Sequence, residues 1–298
     1  MLLYWIVGIP IAYALLYFLV PRGNLLQEVL SLPIYLLKVL RVPTDNMLIE
    51  KHRFGPHRRQ YFLLCKPKDG QIRKKQVILF HHGGGWGSGS PELFRINAKQ
   101  FVERGHWVIL PTYRQIPFYG YEAIREDISL GLKKGVEILR EQGMEDFRIV
   151  LGGMSAGGNL VALLLYDRQR LAQLGFDQQL FSGIMLFGAP LDLKTMYWTP
   201  PLWLFAGSKG SPQFQQASPI NYLQEDEQTP VLCYHGTRDG MVAIAGSYNF
   251  IQKLPPAIVT FYPIEGASHL DLGSWNFGNE EMLKEIFRFL EKVETQRR

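Results

Sequence analysis

Hydrophobic and polar positions divide the chain into two unlike parts. From residue 59 onward, short apolar runs alternate with stretches of helical period. Seven runs read as strands: Tyr61–Cys65, Gln76–His81, His106–Leu110, Phe147–Leu151, Phe181–Phe187, Pro230–Tyr234 and Ile258–Tyr262. Segments such as VILF and GIMLF are continuously apolar, which suits strands covered on both faces. Residues 92–104, 122–142, 156–168, 242–253 and 279–295 carry the helical pattern between them. The alternation predicts an α/β fold with a mostly parallel central sheet flanked by helices. Residues 190–229 break the rhythm. They are rich in Pro, Gly and Gln, and predict an insertion over one edge of a single 59–298 domain.

The first part is different. Leu2–Val20 is a run of nineteen residues without a charged side chain. At ~1.5 Å per residue, a helix of that length comes close to the ~30 Å hydrocarbon core of a bilayer. Tyr4, Trp5 and Tyr17 stand near its ends, where interfacial aromatics belong. The run predicts an N-terminal transmembrane helix, a membrane anchor over residues 1–22. A cleavable signal peptide fits less well, because there is no basic start and Val20-Pro21-Arg22 is a poor cleavage site. A buried core helix is the remaining reading. Residues 23–58 form an amphipathic and basic connecting or cap segment. Leu25, Val29, Leu32, Leu36 and Leu40 recur at helical spacing, as in an interfacial helix, a cap, or an ordinary helix packed on the domain. Pro33 is expected to kink it.

Charge sharpens this division. The 298 residues carry a net charge of +5, which alone would invite a nucleic-acid reading. The excess is local: residues 41–75 hold ten basic and three acidic side chains, whereas residues 76–298 sum to −3. A nucleic-acid groove across the domain is therefore disfavoured. A basic collar after an apolar helix instead predicts a single-pass membrane protein with its domain on the cytoplasmic side. With 47% hydrophobic and 20% charged residues the chain is not disordered. Cys65 and Cys233 both sit in apolar strand-like runs and read as buried thiols, not a disulfide framework.

The chemistry concentrates in four short segments. Gly153-Met154-Ser155-Ala156-Gly157 is a G-x-S-x-G pattern between a predicted strand and a predicted helix, the context of a serine held on a sharp turn. His81-His82-Gly83-Gly84-Gly85-Trp86 follows another strand, and its glycines leave backbone N–H groups uncrowded. A serine hydroxyl needs a base, and the base needs an orienting acid. Asp239, in His235-Gly236-Thr237-Arg238-Asp239-Gly240, and His269, in Gly266-Ala267-Ser268-His269-Leu270, each follow a later strand. Asp192 and Asp271 are rival acids, and His82 and His235 read as structural. No metal site is supported by the bare His81-His82 pair, and no phosphate-binding glycine motif occurs, so no cofactor is expected.

HHGGGW, GGMSAGGN, HGTRDG and GASHL, in that order, resemble the alpha/beta-hydrolase superfamily, and within it the hormone-sensitive-lipase-like serine esterases. VILPTYR at 108–114 is similar to that family's strand ending in Tyr-Arg. The resemblance covers roughly residues 60–295. It implies the alpha/beta-hydrolase fold with an eight-stranded sheet, and a serine carboxylic-ester hydrolase acting without cofactor on a small-molecule ester. It assigns Ser155 as nucleophile, His269 as base, Asp239 as orienting acid, and Gly84, Gly85 and Ala156 as oxyanion-hole donors. Ser268-His269 departs from the Gly-His pair more usual there. Small or lipid-like acyl esters suit an apolar N-terminal segment. An amidase or peptidase using the same triad, and a non-catalytic hydrolase-fold binding protein, are the alternatives.

Overall fold

A computed structural model describes residues 12–21 and 23–295. Among them are strands β1 (Met47–Arg53), β2 (Tyr61–Pro67), β3 (Gln76–His81), β4 (Val108–Pro111), β5 (Arg148–Met154), β6 (Phe181–Phe187), β7 (Val231–Gly236) and β8 (Val259–Ile264). They form one sheet in the order β1-β2-β4-β3-β5-β6-β7-β8. β2 runs antiparallel to both β1 and β4, and every other neighbouring pair is parallel.

The helices are α1 (residues 12–19), α2 (Leu25–Arg41), α3 (Arg95–Val102), α4 (Tyr121–Glu141), α5 (Ala156–Tyr166), α6 (Arg168–Gln173), α7 (Pro200–Ala206), α8 (Pro212–Gln216), α9 (Ala245–Ile251) and α10 (Glu280–Thr295). Alternate residues of one strand feed opposite layers, as the period of two requires. Val77 and Leu79 of β3 join the core that holds Leu132 of α4 and Leu160 of α5. Ile78 and Phe80 join the core that holds Phe101 of α3 and Ile286 of α10. Burial on both faces is why the strands read as unbroken apolar runs.

All seven strands expected from the pattern are present, and β1 is the addition. Its sequence, MLIEKHR, carries three ionisable residues in a row before Arg53. It is an edge strand, and a charged edge resists pairing with a further chain. That charge hides it from a search for apolar runs. In residues 190–229, α7 and α8 are short and begin with proline in the first turn, capped by Thr199 and Ser211.

The N-terminal segment departs from expectation. The expected transmembrane helix Leu2–Val20 falls largely on residues 1–11, which lie outside the described residues, and among the described residues no helix is long and apolar enough to cross a membrane. α2 forms where the leucine spacing placed a helix, started by Asn24, whose side chain accepts the Leu26 N–H at 2.8 Å. Its orientation is inverted relative to an ordinary packed helix. Gln27 and Glu28 are buried, while Leu25, Val29, Leu32 and Leu40 are 49, 51, 39 and 71% exposed. The basic collar is also partly consumed by the fold. Lys66 is buried and paired with Glu50, and Arg73, Lys74 and Lys75 pair with Asp69, Glu294 and Asp146.

One buried carboxylate ties the sheet to α4. Asp127 accepts the Arg114 backbone N–H at 2.6 Å, the Arg114 guanidinium Nη2 at 2.9 Å and the Gln60 amide at 2.8 Å. It thus joins the exit of β4 to the entry of β2. Asp127→Ala removes the fully buried partner of Arg114 and the acceptor of the Gln60 amide, leaving the guanidinium only Glu126 and the Ala123 carbonyl, and is expected to destabilise the protein by ~2 kcal/mol or more. Urea unfolding followed by tryptophan fluorescence checks this. A change in unfolding free energy below ~1 kcal/mol would remove Asp127 from the framework.

Candidate active site

β5 ends at Met154 and α5 begins at Ala156, so a single residue makes the turn. Ser155 does so at φ 55°, ψ −128°, a left-handed conformation that costs about 1–3 kcal/mol for a non-glycine residue. Its surroundings hold it there. Its N–H donates to Phe187 O at 2.8 Å, and its carbonyl accepts from Gly158 N and Asn159 N at 2.9 and 3.2 Å. A Cβ on Gly153 would lie 2.4 Å from the Gly157 carbonyl, and one on Gly157 would lie 2.2 Å from His81 O. The glycines of G-x-S-x-G are therefore a steric requirement of this turn. Between Leu151 and Leu160 every residue but Ser155 is buried.

The glycine loop lies against this elbow. A Cβ on Gly83 would stand 2.9 Å from Met154 O and 3.3 Å from the Ser155 Cβ. The loop then turns at Gly84 (φ 120°) and Gly85 (φ 56°), and Gly84 O accepts the Gly87 and Ser88 N–H groups at 3.1 and 2.9 Å. His82 braces it from beneath. Its Nδ1–H donates to Gly83 O at 2.8 Å, and its Nε2 accepts from the Thr112 hydroxyl at 3.1 Å. Burial pushes the His82 ring down to about 4, so it stays neutral and keeps that arrangement. Trp86 stacks on Phe205 of α7 at 4.3 Å and donates to Asn159 of α5 at 3.4 Å. Gly83 thus touches the elbow directly, Gly84 and Gly85 follow it in the same loop, and Ala156 adjoins Ser155 in the chain. As the first residue of α5, Ala156 has an N–H without an intrahelical partner.

Asp239 and His269 come together from the loops after β7 and β8. The His269 Nδ1–H donates to Asp239 Oδ2 at 2.7 Å, which leaves Nε2 as the free basic nitrogen. Asp239 Oδ1 accepts the Met241 and Val242 N–H groups at 2.9 and 2.8 Å. Burial opposes ionisation of Asp239, but the His269 and His235 rings outweigh it and hold the carboxyl well below the usual carboxylate range. Burial likewise opposes charge on His269, yet Asp239, with a smaller contribution from Glu28, raises it above its ordinary value. Gly188 connects this pair to the elbow. It follows Phe187, the acceptor for Ser155, and its missing Cβ would lie 3.1 Å from His269 Nδ1 and 3.2 Å from Asp239 Oδ2.

The rival candidates are engaged elsewhere. Asp192 caps a turn at Lys194 and accepts from Asn249 at 2.9 Å. Asp271 accepts the Ser268 N–H at 2.9 Å. His235 lies between Ser247 and the Val242 carbonyl, 3.4 Å from Asp239 Oδ2. The His81 ring is buried without a hydrogen-bond partner, and burial pushes it down to about 3. Among the described residues no group of three or more His, Cys, Asp or Glu could hold a metal ion. One neighbour went unnoticed in the sequence. Glu28 of α2 is fully buried, and its Oε1 accepts the His269 N–H at 2.7 Å. Its only signal is that it is the sole acid before Asp45.

A family model, BD-FAE, matches residues 64–254, from β2 through α9. The chain belongs to the BD-FAE family. Beyond this BD-FAE match, it is 26% identical to human arylacetamide deacetylase-like 4 over 225 residues, which is 70% of this chain and 51% of that protein. Rabbit (Oryctolagus cuniculus) arylacetamide deacetylase is 32% identical over 101 residues, 32% of this chain and 25% of that protein. The chain thus spans about half, or less, of the length of these relatives. Among solved structures, esterase B from Lactobacillus rhamnosis superposes with a TM-score of 0.73 at 17% identity, covering 89% of this chain and 92% of that one. A hormone-sensitive lipase from a metagenome library gives 0.64 at 18% identity, covering 88 and 91%. The fold is that of the alpha/beta hydrolases, and the likeness to their hormone-sensitive-lipase-like esterase branch, read from the four motifs, holds.

Asp239 raises the His269 pKa through its charge and its hydrogen bond, so Asp239→Asn is expected to lower it. The imidazole resonances of His269, followed by NMR from pH 5 to 9, check this. An unchanged midpoint would mean that the pair is not electrostatically coupled.

Proposed function

We propose that this chain is a serine carboxylic-ester hydrolase. The observation that carries the reading is the buried His269–Asp239 pair, 2.7 Å apart and one glycine away from the strained Ser155 elbow. In this reading His269 Nε2 removes the Ser155 proton as Oγ attacks the ester carbonyl. Asp239 holds the ring in the Nδ1–H form and stabilises the imidazolium. Backbone N–H groups of Gly84, Gly85 and Ala156 face the oxyanion, aided by the positive end of α5. The imidazolium then protonates the leaving alcohol, and water, activated by the same base, releases the acid from Ser155.

Apolar substrates suit the rim. Ile116 packs on Gly87 of the glycine loop, and the same segment carries Phe118, 87% exposed. α7 packs beside the same segment at Gly120, reaches the loop through Phe205 and carries Trp203, 50% exposed. Small or lipid-like acyl esters are the class proposed. Amide cleavage is the second reading, favoured by the arylacetamide deacetylase names of the relatives. Parallel assays on a p-nitrophenyl ester and the matching anilide separate the two.

The proposal includes association with a membrane surface, with the domain on the cytoplasmic side. It is supported by the charge-free run Leu2–Val20, by the outward apolar face of α2, and by the exposed basic residues Arg41, Lys51, Arg53 and Arg58 that follow. Flotation with vesicles containing anionic lipid, comparing wild type with a Leu25→Ser/Val29→Ser/Leu32→Ser variant, tests it. The substitutions are expected to reduce the bound fraction, and equal flotation would exclude the α2 face.

Ser155→Ala is expected to abolish fluorophosphonate labelling and to lower kcat for p-nitrophenyl butyrate by at least ~10³-fold. Equal activity in the two proteins would overturn the mechanism. The base acts only when neutral. Because the His269 pKa lies above 6.5, kcat/KM is expected to rise with pH and reach half its plateau above pH 6.5.

A further inference from the structure

α2 buries Gln27, Glu28 and Val39, and the polar end of that face meets the loops of the proposed acid and base. Glu28 is 0% exposed. Its Oε1 accepts two backbone N–H groups, from His269 at 2.7 Å and from Gly240 at 3.3 Å. One donor belongs to the proposed base and the other is the residue after the proposed acid. A single carboxylate oxygen therefore bridges the loop after β7 and the loop after β8. Glu28 Oε2 is buried with no hydrogen-bond partner. A carboxylate half-satisfied in this way is costly to bury.

The helix is fitted closely to this place. A Cβ on Gly240 would lie 2.7 Å from the Asn24 backbone, and one on Gly273 would lie 2.3 Å from the Tyr35 hydroxyl. Tyr35 meets Phe277 edge-on at 5.5 Å. Contacts on both loops, from Asn24 to Tyr35, fix α2 against them. The ionisable groups around His269 are Asp239 on the β7 side, His235 behind Asp239, Asp271 on its own turn, held at Ser268 N, and Glu28 from α2.

We propose that Glu28 is a positioning residue for the His269 base: it fixes the spacing of the acid and base loops and adds a second carboxylate that favours the imidazolium. The role rests on the serine-hydrolase reading, in which His269 gains a proton as Ser155 attacks. Asp239 supplies the direct bond at Nδ1. Glu28 acts through the backbone of the same residue and through the field at its ring, where its charge has the same sign as that of Asp239. The base is thereby coupled to the N-terminal helix, whose opposite face is apolar and exposed.

Glu28→Gln separates the two contributions, because it keeps a carbonyl oxygen for the two N–H groups and removes the charge. The decisive measurement is the NMR titration of His269 in full-length wild type and Glu28→Gln, which needs no turnover. The expected result is a fall in the His269 pKa of about one unit, with a matching shift of the acid limb of kcat/KM for p-nitrophenyl butyrate. Glu28→Ala, which also loses the bridge, is expected to lower kcat about tenfold or more. Thermal melts show that each variant is folded. An unchanged His269 titration in folded Glu28→Gln overturns the proposal, since a purely structural side chain would leave it where it was. A wild-type protein that neither hydrolyses esters nor takes up the fluorophosphonate overturns the hydrolase reading instead, and the titration still decides whether Glu28 acts on His269.

Discussion

The backbone at Ser155 is the constraint around which the site is organised. An L-residue at φ 55° is held against its own preference. The hold comes from β6, through the Phe187 carbonyl, and from the close approach of Gly157 to the β3 exit. Both depend on the parallel core, because only neighbours of β5 on each side can reach its carboxyl end. The same end of the sheet receives the loops after β3, β7 and β8. The crevice outside the carboxyl ends of the strands is where open α/β sheets place their ligands.

Electrostatics then differentiate residues of one type. Four of the histidines in this part of the molecule are fully or nearly buried, and burial by itself disfavours charge on each. His81 and His82 have no carboxylate at bonding distance, and their rings are driven to the neutral form. His269 meets Asp239 directly and Glu28 through its backbone, and is raised instead. His235 sits on the far side of Asp239 and helps to keep that carboxyl ionised. The distinction between a neutral brace and a readily protonated ring is therefore made by the partner and not by depth in the protein.

The N-terminal helix shows a hydrophobic pattern read in the opposite sense from usual. A soluble amphipathic helix turns its apolar stripe to the core. α2 turns Gln27 and Glu28 inward alongside Val39 and exposes most of its leucines. The inward polar face is stabilised by unpaired backbone N–H groups in two loops, which a leucine could not satisfy. The outward leucines stay exposed although Tyr13 of α1 bonds to the Leu30 carbonyl, the condition in which a lipid surface would stabilise them.

The sequence by itself determined the sheet, because strands buried on both faces must be apolar at every position and so announce themselves. It also marked the four loops, because a serine on a positive-φ turn needs glycine two residues away on each side, and a crowded loop needs consecutive glycines. It could not find β1, whose Glu50, Lys51, His52 and Arg53 belong to a charged edge. Nor could it choose the face of α2, since leucine spacing has a period but no direction. The motif order already favours Asp239 over Asp192 and Asp271; tertiary structure brought it to His269 and alone decided that Glu28, some 240 positions away, meets the same residue. Those choices are made by which strand ends lie side by side, and strand order is a property of the assembled sheet that no local pattern carries.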